Sequence, residues 1–179
     1  LFFRTESPAT NVLSLENLRK GTLTSITAAV LILALLIELQ VYGIGFAFTT
    51  LAKVQMAVIW LLALPAAYFY SRSNLNLRNL FRVASALAVL ITFVGLVLLF
   101  LNEFLGVELI VLGYLFEPIA GLSIFLSLAR SIWNYMFIVG AWVYTLGLPL
   151  YLYDFGYVSI AGDLVKLVGL LFVSKSLMG

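Results

Sequence analysis

Long apolar stretches alternate with short polar breaks along the whole chain. Residues 21–42, 54–70, 83–101, 109–129 and 132–153 are each nearly free of charge and close to the roughly 20 residues that one bilayer crossing requires. A sixth stretch, 158–178, is interrupted by Asp163, Lys166 and Lys175. Its small and polar residues Ser159, Gly162, Asp163, Lys166 and Gly169 recur every three or four positions and so share one helical face, with Leu164, Val165, Val168, Leu171 and Phe172 on the other. Such a helix either crosses with its polar stripe turned toward a bundle or lies flat on the membrane surface; the crossing reading is adopted. The pattern predicts an all-α, polytopic membrane protein, a bundle of six transmembrane helices formed by residues 21–179 as a single domain.

The preceding arm, residues 1–20, holds Arg4, Glu6, Glu16, Arg19 and Lys20, too polar for the apolar region of a secretory signal. A short interfacial helix is expected there, capped by Ser14, with Leu13, Leu15 and Leu18 on the headgroup boundary.

Charge adds orientation. Arg4, Arg19, Lys20, Arg72, Arg78, Arg82, Arg130 and Lys175 fall on one set of breaks and Lys53 alone on the other. Lys and Arg favour the cytoplasmic side, so a multi-pass protein of the cell membrane with both termini cytoplasmic is expected. Aromatic rims agree: Tyr42, Phe46, Phe48, Phe100, Phe104, Tyr151, Tyr153, Phe155 and Tyr157 mark the outer one, and Tyr68, Phe69, Tyr70, Trp133 and Tyr135 the inner one.

Composition supports the same class, with 64% hydrophobic residues, 10% charged and a mean hydropathy of +1.15. Cysteine and histidine are both absent. Disulfides, thiolate or imidazole metal sites, thiol nucleophiles and imidazole bases therefore drop out, and no cofactor is expected. The net charge of +2 resides in juxtamembrane groups, which gives nucleic-acid binding no support. Gly162-Asp163 falls short of the paired-aspartate motifs of intramembrane proteases, because Ile160 occupies the place of their first glycine.

Packing between helices in lipid relies on small residues and hydrogen bonds rather than on hydrophobicity. Ser85, Thr92 and Gly95 in the third stretch, Gly113 in the fourth, Gly140 and Gly147 in the fifth, and Gly162 and Gly169 in the sixth supply such faces. The candidate polar site is Glu117, Asp163 and Lys166, each deep within an apolar stretch. One isolated charge there costs roughly 2.5–3.5 kcal/mol, so pairing is expected: Asp163 with Lys166 three residues on, and Glu117 either neutral or sharing Lys166. Pro118 removes a backbone donor and frees a carbonyl around Tyr114, predicting a kink beside Glu117. Glu38, nearer the outer rim, is read as solvated.

Two functions fit. The first is a non-catalytic membrane subunit that packs on other membrane proteins or on copies of itself within the bilayer. The second is a small, oligomeric ion- or proton-linked transporter or channel using Glu117, Asp163 and Lys166. The first is preferred at the level of sequence.

Overall fold

The computed structural model describes residues 8–153 and 155–177. Expectations placed on Arg4, Glu6 and the last position of the stretch 158–178 lie outside the described residues. Within them the chain is 88% helix with no strand. The helices are α1 (Pro8–Tyr42), α2 (Thr50–Arg72), α3 (Arg78–Phe100), α4 (Leu105–Tyr114), α5 (Phe116–Ser127), α6 (Ile132–Gly147) and α7 (Tyr157–Ser176), with 3-10 turns at Ile44–Phe48 and Leu148–Tyr153. Taking α4 with α5, and α6 with the turn after it, six segments of 20 to 31 residues are long and apolar enough to cross a membrane.

Each interruption has a local cause. Thr49 caps α2 by accepting from the Ala52 amide at 3.3 Å. The α3 C-terminus closes as a Schellman turn, with Asn102 N–H bonded to Leu99 O and Glu103 N–H to Leu98 O, and Asn102 at φ 64°. Pro149 supplies no amide hydrogen to continue α6, which passes into the 3-10 turn at Leu148 although the sequence reads as one helix to Tyr153. Leu115 separates α4 from α5, one turn before Pro118, where the proline ring conflicts with the Tyr114 carbonyl.

The N-terminal arm differs from expectation. From Pro8 it is helical and runs into the first long segment without a break, instead of forming a separate short helix. Ser14 is not a cap; it lies inside α1, and its hydroxyl accepts from the Asn74 amide at 2.7 Å. The α2–α3 loop claims that oxygen because its own amides have no ladder to join.

Neighbours in sequence are neighbours in space, and α7 returns to pack on α1. The order α1, α2, α3, α4 with α5, α6, α7 and back to α1 is therefore a closed ring of antiparallel segments. One apolar cluster, built on Ile32, Leu36, Leu39, Ala47 and Tyr151, packs the half of the ring near the Ile44–Phe48 turn and lines its inside. A second, built on Tyr70, Phe81, Ala120, Ile124, Phe137 and Leu170, does the same in the half near the basic breaks. Tyr70 and Tyr151, expected at the rims, turn inward: Tyr70 Oη donates to Thr22 Oγ1 at 3.2 Å and Tyr151 Oη to Leu36 O at 2.8 Å, which satisfies each hydroxyl away from water.

Two seams hold the ring tightly. Along α6 and α7, an added Cβ on Gly140 would fall on the Lys166 backbone, one on Gly162 on the Tyr144 backbone, and one on Gly169 on the Phe137 backbone, while one on Gly147 would lie 2.7 Å from Ser159 Oγ. Along α3 and α4, an added Cβ on Gly95 would lie 2.8 Å from Gly106 O, and one on Gly113 would meet the Thr92 methyl. The absence of side chains there lets backbones approach directly. Because α7 follows α6 along its length, its polar stripe, with Ser159, Asp163 and Lys166 buried, faces the bundle.

Candidate functional site

Glu117 stands in the first turn of α5, where the helix dipole favours a carboxylate. It lies midway along the segment Leu105–Ser127, and Lys166 lies midway along Tyr157–Ser176. The two meet across the bundle: Lys166 Nζ donates to Glu117 Oε1 at 3.0 Å. Asp163, one turn earlier on α7, brings Oδ1 to 2.7 Å from the same ammonium. The pairing expected from the i, i+3 spacing is thus present, and the one ammonium is shared between Asp163 and Glu117.

The third side of the ammonium is covered by an aromatic face. Lys166 Nζ sits 4.2 Å from the centroid of the Tyr144 ring, within the range of a cation–π contact. Tyr144 in turn stands edge-on to Tyr114, centroids 5.8 Å apart. The Ser159 hydroxyl donates to Tyr144 O at 3.0 Å, fixing the α6–α7 register beneath this arrangement.

Burial differs sharply among the three charged groups. Asp163 and Lys166 are enclosed, with side-chain exposures of 0% and 2%, whereas Glu117 retains 36%. That exposed part of Glu117 belongs to the wall of an interior cavity of about 250 Å³ lined by residues of all six long segments. On α1 the lining runs from Ser25 to Leu39, about 20 Å along the axis at about 1.5 Å per residue. Glu117 and Lys166 are the charged residues in a wall that is otherwise mostly apolar and aromatic.

The remaining sequence candidates take two positions. Ser85 and Thr92 line the cavity from α3, their hydroxyls donating to Arg82 O at 3.3 Å and Ala88 O at 2.6 Å. Gly95, Gly140, Gly147, Gly162 and Gly169 lie in the seams, and Gly113 both faces Thr92 and borders the cavity. Pro118 is buried just after the break. Glu38 is not simply solvated, since its Oε2 is shut away without a hydrogen bond; nothing in the structure explains it.

Sequence reasoning missed three contributors. Tyr114 and Trp60 line the cavity, and in a chain this rich in aromatic residues no pattern separates them from rim residues. Asn134, 1% exposed, donates from Nδ2 to Phe125 O at 2.9 Å and ties α6 to the end of α5. Its signal was available: a lone amide inside an apolar stretch needs a partner. Among the described residues, no three His, Cys, Asp or Glu side chains converge on a common point. No family model, curated protein or solved structure matches the chain.

Proposed function

We propose that the chain is a multi-pass membrane protein that acts as a small ion- or proton-linked transporter, with Glu117, Asp163 and Lys166 as its intramembrane site. Six segments of crossing length support the membrane placement, as does the outward turn of large apolar side chains such as Leu87, Leu90, Val94 and Val97 on α3. The basic groups at one end of the ring support, under the charge bias, a cytoplasmic side for both termini.

The observation that carries the transport reading is the position of Glu117: a carboxylate at mid-depth, opening onto a chamber that every segment lines. A group fixed only to lock helices together has no reason to retain access to an internal space. Lys166 is shared between two carboxylates, so a proton or cation arriving at Glu117 competes with the ammonium, which remains held at Asp163. Small-residue faces were one of several grounds for the packing-subunit reading. Gly140, Gly147, Gly162, Gly169, Gly95 and Gly113 are occupied by contacts within the chain itself, so these faces do not call for a partner.

Purified protein in liposomes loaded with a pH-sensitive dye should dissipate an imposed pH gradient about tenfold faster than empty liposomes, and Glu117→Gln should return the rate to the empty level. Wild-type vesicles indistinguishable from empty ones would remove the reading.

A further inference from the structure

We infer that the chamber binds a lipophilic cation: a molecule with an apolar, aromatic-compatible body and one positive charge placed against Glu117. The inference rests on the transport reading for its purpose and on the chamber's chemistry for its content. An anionic occupant would need a free positive group, and the chamber offers none. Lys166 is the positive residue in its wall, and its ammonium is spent on Glu117 at 3.0 Å, Asp163 at 2.7 Å and the Tyr144 ring at 4.2 Å, with its side chain 2% exposed.

Glu117 is the opposite case. One oxygen accepts from Lys166 and the side chain remains 36% exposed toward the cavity. Two carboxylates also face one ammonium, so the cluster carries one negative charge in excess when all three are ionised. An excess charge in an apolar bundle calls for a counter-charge. A bound cation supplies it, and the low dielectric strengthens that attraction.

The walls fit the rest of such a molecule. The rings of Trp60, Tyr114, Phe137 and Tyr144 border the space, and aromatic faces attract cations whose charge is spread over an apolar body. Small residues such as Ala63, Ala67 and Ala88 in the same wall leave room for it. A hydrated inorganic ion gains less from walls of this kind, because Glu117 and a few scattered hydroxyls would replace little of its water shell.

The test uses a pair of probes small enough for a cavity of about 250 Å³, with the same benzyl body and opposite charge. Benzyltrimethylammonium should bind saturably to the purified full chain in mild detergent, and phenylmethanesulfonate about tenfold or more weakly. Glu117→Gln should weaken benzyltrimethylammonium by about tenfold or more, Glu117→Asp should retain binding, and Ala67→Trp, which fills the chamber and leaves the charges alone, should abolish it. Size-exclusion profiles confirm that each variant is folded. Equal or tighter binding of phenylmethanesulfonate, unchanged affinity in Glu117→Gln, or wild-type binding in Ala67→Trp would overturn the inference. The assay involves no flux. Charge-selective binding without any gradient dissipation in liposomes sinks the transport reading alone, and dissipation that depends on Glu117 without benzyltrimethylammonium binding sinks the ligand class alone.

Discussion

Lys166→Met is expected to destabilise the protein by about 3–5 kcal/mol, because it leaves Glu117 and Asp163 near one another with no positive partner. The magnitude follows from enclosure. Asp163 is 0% exposed and has no other hydrogen bond to fall back on, so its charge loses its one close counter-charge. The effect is a property of the unpaired carboxylates and not of lost packing, since methionine fills much of the lysine volume along the same stem. Combining Lys166→Met with Glu117→Gln and Asp163→Asn should therefore recover most of the loss. Thermal unfolding in detergent, followed by intrinsic tryptophan fluorescence, reads both variants. A triple variant as unstable as Lys166→Met alone would show that the cost lies in packing.

Gly162→Ala is expected to cost about 3 kcal/mol, the upper end of the range for overpacking. A methyl group there would fall on the Tyr144 backbone, and backbone cannot move aside as a flexible side chain can. The same seam positions Lys166 beneath Tyr144 through the Ser159 hydroxyl, so spreading α6 from α7 should also weaken the site. Gly45→Ala is the matched control: an added Cβ there has nothing within 4 Å, and its effect should stay within about 0.5 kcal/mol. Comparable losses at both positions would contradict the assignment of the α6–α7 seam.

What could be read from the sequence divides along physical lines. Segment positions were legible because an apolar run of crossing length is a strong signal, and Pro118 announced the break at Leu115. The meeting of Glu117 with Lys166 was legible as one of two options, since a buried charge must find a partner. Ring closure by α1 and α7 was not legible. In a lipid-facing bundle the inner and outer surfaces are both apolar, so periodicity does not say that Leu36 is 3% exposed while Ile37 is 46% exposed. The chamber was invisible for the same reason: it arises from the spacing of six helices, and its wall residues Ala63, Ala67 and Ala88 resemble packing residues anywhere. Tyr70 and Tyr151 were misplaced because a tyrosine near a helix end suits a rim and an inward hydroxyl bond equally well.

The central claim is that six segments cross a bilayer as a closed ring around an accessible chamber, and cysteine accessibility tests it most directly. The chain contains no cysteine, so each single substitution is a unique probe. In native vesicles a permanently charged, cationic methanethiosulfonate reagent should modify Ala67→Cys and Ser85→Cys, which border the chamber, and should leave Leu87→Cys and Val94→Cys, which face outward, unmodified. Modification of the outward pair with a silent chamber pair would contradict the account, because it would place water outside the ring and none within.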